Sequence, residues 1–423
     1  MRKTILINIL VVVILMPLTA TAQEIIRSIH IEGTKRTEAR TILRELPFAE
    51  GDSWKNEWQE LAERRLRNTG LFSEAHVSAP DTDGVVNILV RERWSIWLLP
   101  TASRKDNGES TAGLTLDDYN LWGLGHHLHV SAIRNTGKNF STNQGTTTYG
   151  FGYGWRRIGD SKLSADASAS SGSSVFTTYQ NGISTAQYIQ DGNSSALIFS
   201  YALGPVPGEG WGVRLGYTAT NTTYRLISGT PQPDVQTQRE RTLVTGVSYA
   251  QVNDHITWFT GTAFDYGLSI SHRALGSSYD VYSQTISFRT YVPYNEENTF
   301  NTRLNAGIVT GNVLRDALFD IGNRNGIRGY YPGEVQGTAF IYGTAEWRYL
   351  LEQGSNVQLV AFTDVGYVNN RGGKLYGQPV IAGAGTGIRW TLRWLVNGTI
   401  RGDAAYGFAT HKWRFYLGTG QAF

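Results

Sequence analysis

In the stretch NVQLVAFTDVGYV, residues 356–368, alternate residues form two sets of different polarity. Its apolar side chains fall on one side of an extended chain: Leu359, Ala361, Val365 and Tyr367. The other side is mixed and carries a carboxylate: Gln358, Phe362, Asp364 and Gly366. A period of two residues predicts a β-strand. A strand with one apolar and one polar face fits between lipid and a water-filled lumen.

The same alternation recurs along most of the chain after Trp94. Sixteen segments show it: 95–104, 110–120, 125–135, 145–157, 162–175, 194–204, 211–226, 235–251, 256–270, 280–293, 299–310, 338–350, 356–368, 380–393, 397–408 and 413–423. Short connections such as LWGLG and VNDH alternate with longer ones, among them the predicted loops 176–193 and 311–337. This rhythm is typical of a transmembrane β-barrel with short periplasmic turns and long extracellular loops. An even strand count returns both barrel ends to the periplasmic side.

Composition agrees with a β-rich chain. Among 423 residues are 48 Gly, 22 Tyr, 16 Phe and 12 Trp, and only 17% are charged, which favours many short strands over helices. A net charge of +3 gives no reason to expect a nucleic-acid partner. The absence of Cys excludes a disulfide scaffold and a thiolate metal site.

The first residues have the features of a secretory signal peptide. Arg2 and Lys3 precede an apolar run over residues 5–18, and Ala20-Thr21-Ala22 follows as a small-x-small cleavage pattern. The run is shorter than the ~20 residues of a spanning helix. We therefore predict that residues 1–22 are a cleaved signal peptide rather than a membrane anchor.

Residues 23–93 predict a small α+β domain that precedes the barrel. An alternating strand ends at Gly33, and two segments with apolar residues at helical spacing follow it. Thr37 is placed to cap the first helix and Gly70 to end the second. Two strands, LFSEAHVSA and GVVNILVRER, are joined by the turn PDTDG. Residues 94–423 then form the barrel.

An ordered series of motifs connects these two regions. The motifs are RRLRNTGLFSEAHV (residues 64–77), LDDYNLWGLG (116–125), IRGY (327–330), AEWRY (345–349), FTDVG (362–366) and the terminal FYLGTGQAF (415–423). In this order they resemble the superfamily of outer-membrane proteins that contains BamA, TamA and the two-partner-secretion transporters. The resemblance covers the mature chain and identifies residues 23–93 as a single POTRA domain. It implies a mostly β fold, in which a sixteen-stranded antiparallel transmembrane barrel follows one periplasmic α+β domain.

The resemblance also implies a site inside the barrel. In the family, the motif that is here Ile327, Arg328, Gly329 and Tyr330 lies at the tip of the sixth extracellular loop, which folds back into the lumen. The implied partner of Arg328 is Asp364, and Glu346 is the competing carboxylate. Arginine suits such a contact because its planar fork binds a carboxylate through two hydrogen bonds. Neighbouring lumen-facing residues complete the predicted site: Arg348, Phe362 and Gly366.

The boundary between the first and last barrel strands is the second predicted site. Pro100 lacks a ladder donor, and Gly418 and Gly420 weaken pairing in the last strand. A weak boundary could open sideways and admit a substrate strand. Pro100 could instead face the second strand or lie beyond the last hydrogen bond. Phe423 resembles the terminal recognition residue of outer-membrane strands.

The implied function is polypeptide handling at the outer membrane of a Gram-negative bacterium. The chain would insert barrel proteins or secrete an unfolded polypeptide, which the POTRA domain receives, and its other partner is the lipid bilayer. Neither enzyme activity nor a cofactor is implied. Two other classes stay open, a passive channel or porin with no role for Arg328 and a barrel enzyme such as a phospholipase. His127 and His129 share one strand face and could bind a metal weakly, although a polar lumen face explains them equally. We assign no metal site.

Overall fold

The computed structural model describes residues 24–104, 110–136, 146–180, 183–295, 298–352, 354–369 and 379–420. The predicted signal peptide and the terminal Phe423 lie outside the described residues. Among the described residues, no helix has the length and apolarity that crossing a membrane requires.

The N-terminal unit is a three-stranded sheet covered by two helices. Its elements are β1 (Ser28–Glu32), α1 (Ala39–Leu43), α2 (Glu57–Asn68), β2 (Phe72–Val77) and β3 (Val85–Glu92). β3 lies in the middle, parallel to β1 and antiparallel to β2. The apolar core between helices and sheet includes the buried side chains of Ile26, Ile42, Leu66, Phe72 and Val86. This element order is the one that the sequence predicts.

The cap predicted for the first helix is wrong. α1 begins at Ala39 after Glu38, and no side chain of the described residues caps it. The Thr37 hydroxyl accepts a hydrogen bond from Nδ2 of Asn120 (2.8 Å) instead. Asn120 lies 83 residues further along the chain, so helix-capping rules, which use only neighbouring residues, did not reveal this contact.

The rest of the chain forms one antiparallel sheet of sixteen strands. These are β4 (Ile96–Arg104), β5 (Ser110–Leu121), β6 (His126–Thr136), β7 (Thr146–Trp155), β8 (Leu163–Gln180), β9 (Ile183–Ala202), β10 (Glu209–Gly229), β11 (Gln238–Asp254), β12 (Phe259–Ser271), β13 (Val281–Pro293), β14 (Thr299–Gly311), β17 (Ala339–Leu350), β18 (Val357–Val368), β19 (Ile381–Thr391), β20 (Thr399–Gly407) and β21 (Lys412–Thr419). The two short strands β15 (Phe319–Asp320) and β16 (Gln336–Gly337) pair within the connection between β14 and β17. Each long strand pairs with the next along the chain from β4 to β21. The predicted sixteen-stranded antiparallel fold is confirmed.

The two faces of the sheet differ as the alternation predicts. On β18, the outward side chains of Leu359 and Val365 are 41% and 43% exposed, whereas the inward Gln358 and Asp364 are buried. On β21, Phe415 and Leu417 point outward and are each 80% exposed. The barrel therefore presents an apolar outer wall and a polar lumen, as a membrane-spanning barrel requires.

The long loop predicted over residues 176–193 is instead mostly strand. β8 continues to Gln180, and β9 begins at Ile183. β10 runs beside β9 as far as Gly229, so these strands support one another beyond the length needed to cross the membrane. The rings of Phe176, Tyr188 and Tyr224 pack together with centroids 5.6–6.4 Å apart. This aromatic cluster supplies the burial that an isolated loop would lack.

The N-terminal unit lies against one rim of the barrel. Arg44 donates to the Leu124 carbonyl (2.6 Å) in the β5–β6 turn. Arg65 donates to both Glu209 carboxylate oxygens (2.9 and 3.2 Å), where β10 begins. Asn68 bonds to the end of β11, and the buried Val396 of the β19–β20 turn joins the apolar core of the N-terminal unit. These contacts all fall on the rim of the short turns, which identifies the periplasmic end of the barrel.

Candidate functional site: the sixth loop and the barrel seam

The sixth connection on the opposite rim, residues 312–338, turns back into the barrel. Its four predicted motif residues, Ile327, Arg328, Gly329 and Tyr330, are all buried. Ile327 belongs to an apolar cluster with residues of β17 and β18, including Tyr342 and Val368. The loop tip is therefore seated against the inner wall of the barrel.

Arg328 contacts both carboxylates that the sequence proposed as partners. Its Nε and Nη2 donate to the two oxygens of Asp364 (2.8 and 3.0 Å), and its backbone N–H donates to the same carboxylate (3.0 Å). Nη1 donates to Oε2 of Glu346 (2.9 Å). Arg328 is 1% exposed and both carboxylates are 0% exposed. The two acids are therefore joint partners of Arg328, not competitors for it.

The guanidinium of Arg328 also has an aromatic contact. Its central carbon lies 3.4 Å from the centroid of the Phe362 ring, and Phe362 is on the same inward face of β18 as Asp364. A ring face attracts a cation, particularly where water is excluded. Phe362 thus supplies one wall of the arginine site and Asp364 supplies its anion.

The carboxylate of Glu346 connects Arg328 to a larger charged network. Its Oε1 accepts from Nε of Arg348 (2.8 Å), and its Oε2 lies 3.4 Å from Nη2 of Arg389. Arg389 in turn donates to Asp403 (2.7 Å). All these side chains are 4% exposed or less. The charges in this network stabilise one another, because a buried charge without its partner raises the free energy of the folded state.

Gly329 occupies a position that other residues cannot adopt without strain. Its φ is +101°, and a Cβ there would lie 2.6 Å from the backbone nitrogen of Gly407. Gly366 has a related role, since a Cβ there would lie 2.5 Å from Cβ of Tyr342 and 3.0 Å from Cδ1 of Ile327. Both glycines let the loop approach the wall closely.

The loop is also attached to the last strand of the barrel. The Tyr416 hydroxyl on β21 accepts from the Gly329 N–H (2.9 Å) and donates to the Tyr330 carbonyl (3.0 Å). The Arg414 guanidinium stacks on the Tyr331 ring at 3.9 Å. The Tyr330 hydroxyl donates to the Ala382 carbonyl of β19 (2.9 Å). The loop therefore contacts the inner face of β19 and β21 as well as that of β17 and β18.

We call the boundary between β4 and β21 the seam. Among the described residues, β4 pairs only with β5 and β21 only with β20, and no ladder joins β4 to β21. The seam thus lacks the continuous hydrogen bonding of the other strand boundaries.

The hydrogen bonds at the start of β4 show which way Pro100 faces. The carbonyl of Ser95 accepts from the Tyr119 N–H of β5 (3.0 Å). Trp94 bonds through both its N–H and its carbonyl to the β19–β20 turn, away from β5. Along a strand, the N–H and C=O groups of successive residues point to opposite neighbours. The backbone groups of Pro100 therefore point to the same side as those of Trp94. Its missing N–H is on the seam side.

The two seam glycines have separate roles. A Cβ at Gly418 would lie 2.4 Å from Nη1 of Arg324, so Gly418 makes room for the loop tip. Gly420 follows β21 with φ of +82°, and its N–H donates to the Thr399 carbonyl (2.8 Å).

The structure also reveals site residues that the sequence argument did not select: Arg389, Arg401, Asp403 and Tyr416. Each lies on an inward position of its strand, so the two-residue period was the available signal. Arg401 and Tyr416 contact the loop directly, whereas Arg389 and Asp403 are connected to it through Glu346. These contacts depend on how far the loop enters the lumen, which strand periodicity does not encode.

The His pair shares a carboxylate. His127 Nε2 and His129 Nδ1 lie 2.9 and 2.8 Å from the same oxygen of Asp117. Within the part of the chain that the structure describes, no group of three or more His, Cys, Asp or Glu residues is arranged to hold a metal ion. Hydrogen bonding to Asp117 accounts for both imidazoles as lumen-wall residues.

Two family models match the chain. One is described as the Omp85 superfamily domain and matches residues 120–423. The other, POTRA, is described as a surface antigen variable number repeat and matches residues 24–93. The outer membrane protein assembly factor BamA of Neorickettsia risticii is 23% identical over 342 residues, which cover 76% of this chain and 44% of that protein. This chain therefore aligns with less than half of that relative's length.

Solved structures with the same architecture include two CdiB proteins and a BamA. CdiB from Escherichia coli has a TM-score of 0.63 at 16% identity, covering 94% of this chain and 74% of its own. CdiB from Acinetobacter baumannii has a TM-score of 0.58 at 15% identity, covering 92% and 72%. BamA from Haemophilus ducreyi lacking POTRA domains 1–3 has a TM-score of 0.53 at 18% identity, covering 93% and 83%. These likenesses show the fold. Since the first family model spans well over half of the sequence, the chain belongs to the Omp85 superfamily and is an outer-membrane protein.

Proposed function

We propose that this protein moves unfolded polypeptide into or across the outer membrane, by inserting barrel proteins or by secreting a partner. The observation that carries the proposal is the seam, where two strand edges meet without a ladder among the described residues. An unpaired edge can accept an added strand through main-chain hydrogen bonds. The barrel thus offers a place where polypeptide can pair with it.

The sixth loop would control this seam from the inside. Tyr416 and Arg414 join β21 to the loop, and Arg328 joins the loop to β17 and β18. Movement of the loop would therefore change the support of one seam strand. We assign Arg328, Asp364 and Glu346 a positioning role and no residue a catalytic one.

The N-terminal unit would receive the polypeptide on the periplasmic side. β1 and β2 are the edge strands of its sheet, because each pairs only with β3. An extended segment can add to such an edge. One relative is named an outer membrane protein assembly factor, which supports a role in handling polypeptide.

A passive channel is the second candidate, and the contents of the barrel argue against it. The sixth loop fills part of the lumen with buried residues, and the N-terminal unit contacts the periplasmic rim at the β5–β6 turn, the start of β10 and the end of β11. An open pore would need neither feature.

A disulfide across the seam tests the proposal. Leu99 of β4 and Gly420, which follows β21, line the same cavity of about 560 Å³. A Cβ at Gly420 meets no atom within 4 Å, and the chain has no native Cys to compete. With both replaced by Cys, oxidation should stop polypeptide insertion or secretion, and reduction should restore it. A matched pair across β13 and β14, at Ser287 and Asn305, which are register partners, should have no effect when oxidised. Full activity of the oxidised seam pair would rule out opening at the seam.

A crosslinker on the N-terminal unit identifies the substrate. A photoreactive residue in place of His76, which is exposed on β2, should trap an unfolded outer-membrane or secreted polypeptide in cells. Trapping of no polypeptide, with steady ion conductance from the purified protein, would favour the channel.

A further inference from the structure

An apolar groove runs across the outer wall of the barrel next to the seam. It has a volume of about 970 Å³ and is lined by residues of β17 to β21. This is at the upper end of the ~300–1,000 Å³ range of ligand sites. The groove faces away from the lumen, so it is separate from the site of Arg328.

Small residues form the floor of the groove, and large ones form its walls. The floor contains Ala361, Gly402 and Ala404, whose positions point outward and carry little or no side chain. Trp347 stands on one side, 50% exposed, and Phe415 on the other, 80% exposed. The groove is therefore a consequence of the different side-chain sizes on the outer face of β17 to β21.

The groove lies in the periplasmic half of the wall. Trp347 is three residues from the end of β17 at Leu350, and Leu359 is two residues from the start of β18 at Val357. Both strand ends lead into short turns, on the rim that the N-terminal unit contacts. The groove therefore faces the hydrocarbon of the periplasmic leaflet.

A cation and aromatic side chains stand at the rim below the groove. Trp390 and Trp394 are 48% and 60% exposed, and such rings sit at the headgroup level of membranes. Arg393 lies between them in sequence and donates to the Ser355 carbonyl (3.3 Å) of the β17–β18 turn. In register, Val357 pairs with Trp390 and Leu359 with Ile388. Arg393 therefore lies in the turn at the periplasmic ends of β18 and β19, the strands that carry Leu359 and Ile388 of the groove.

We propose that this groove binds one acyl chain of a glycerophospholipid from the periplasmic leaflet, with the lipid phosphate near Arg393. The apolar walls suit the chain, and the guanidinium suits the phosphate. Because Phe415 and Leu417 belong to the last strand, a lipid in the groove contacts the outer side of the seam strand that the sixth loop contacts from inside.

Gly402 permits a clean test by groove filling. A Cβ at Gly402 would meet nothing closer than Cδ1 of Leu417, at 4.0 Å, so Gly402→Leu adds volume to the groove without a backbone clash. Gly343 is the matched control, since it also points outward, does not line the groove, and its added Cβ would lie 3.7 Å from the Arg303 carbonyl. Heat-modifiable migration verifies that both variants fold.

The full chain is placed in vesicles of phosphatidylethanolamine and phosphatidylglycerol that contain a trace of phosphatidylethanolamine with a diazirine on its acyl chain. After irradiation, labelled residues are mapped by mass spectrometry. We expect labelling to concentrate on Ile388, Phe415 and Leu417. Displacing about two methylene groups lowers occupancy roughly tenfold, so Gly402→Leu should reduce this labelling by that factor while Gly343→Leu leaves it unchanged.

A second probe separates a phospholipid from any apolar occupant. Arg393→Gln should reduce labelling by the phospholipid probe but not by a diacylglycerol with the same diazirine chain. Uniform labelling around the barrel would show ordinary surrounding lipid and overturn the proposal. Unchanged labelling in folded Gly402→Leu would also overturn it, and equal loss of both probes in Arg393→Gln would refute the phosphate contact.

Discussion

At the scale of single residues, Arg328 has two anionic partners and one aromatic one. Removing one member of a buried charged pair typically costs ~3–5 kcal/mol, because the other charge is left uncompensated. Asp364 has three hydrogen bonds from Arg328, whereas Glu346 also has Arg348 and Arg389. Asp364 therefore depends on Arg328 more than Glu346 does.

We predict that Arg328→Ala and Asp364→Ala each release the sixth loop and lower the thermal stability of the barrel. The double variant should be no less stable than the weaker single, since the two side chains share one interaction. Thermal unfolding and the mobility of a nitroxide at position 324 measure the two effects. Arg214→Ala is the control, because Arg214 pairs with Asp265 in the lumen on β10 and β12. Additive losses in the double variant would contradict a shared interaction.

Asp320 makes the loop sensitive to pH. Burial raises the pKa of Asp320 to about 6 from the ordinary 3.8, although N–H donors of Gly333 and Gly322 act to lower it. A carboxyl group whose pKa is raised in the folded state stabilises that state below the unfolded pKa, and the stability is lost as pH rises through the folded value.

The β15–β16 hairpin should therefore be held more firmly near pH 4 than near pH 7.5. The same nitroxide at position 324 should show a growing mobile fraction across this range. In Asp320→Asn the pH dependence should disappear, because the amide does not titrate. A mobile fraction that grows as the pH falls would reverse the assigned sign.

At the scale of elements, β21 depends on the loop more than the other long strands do. Its edge at the seam has no ladder among the described residues, and Tyr416 makes two hydrogen bonds to the sixth loop on the luminal side. A single net hydrogen bond contributes about 0.5–1.5 kcal/mol. Losing both should raise the local opening rate of a short edge strand.

We predict that Tyr416→Phe speeds amide hydrogen exchange in β21 while exchange in β13 and β14 is unchanged. Tyr406→Phe is the matched control, because Tyr406 lies outward on β20 with a single hydroxyl contact to His411. Equal exchange rates in the two variants would show that the loop does not support β21.

At the scale of the whole molecule, the N-terminal unit is held to the barrel by several polar contacts. Arg65 is 7% exposed and bonds to both oxygens of Glu209. This geometry differs from the solvent-exposed pair of Arg91 and Glu74, and exposed pairs contribute little. The contact of Arg65 should thus decide how firmly the N-terminal unit stays on the rim.

We predict that Arg65→Glu broadens the distances between spin labels on the N-terminal unit and on the barrel, as measured by pulsed electron resonance. The double exchange Arg65→Glu with Glu209→Arg should narrow them again, because it restores opposite charges. Arg91→Glu should leave the distances as they are. Failure of the double exchange to restore the distribution would mean that the pair does not hold the two units together.

The sequence by itself determined which residues face the lumen. Asp364, Glu346 and Arg348 were placed there by the two-residue period, which follows from local backbone geometry and needs no knowledge of distant contacts. The element order of the N-terminal unit followed from helical spacing and turn residues for the same reason. The approach of Arg328 to Asp364 came from the family resemblance rather than from periodicity.

Only the tertiary structure decided how these faces are used. That Arg328 holds two carboxylates at once, that Tyr416 reaches the loop, and that Thr37 bonds to Asn120 all depend on residues far apart in the chain. The extension of β8 and β9 across the predicted loop depends on a neighbouring strand, β10. Such contacts form where the folded chain brings distant elements together, and local spacing in the sequence does not encode which residues will meet.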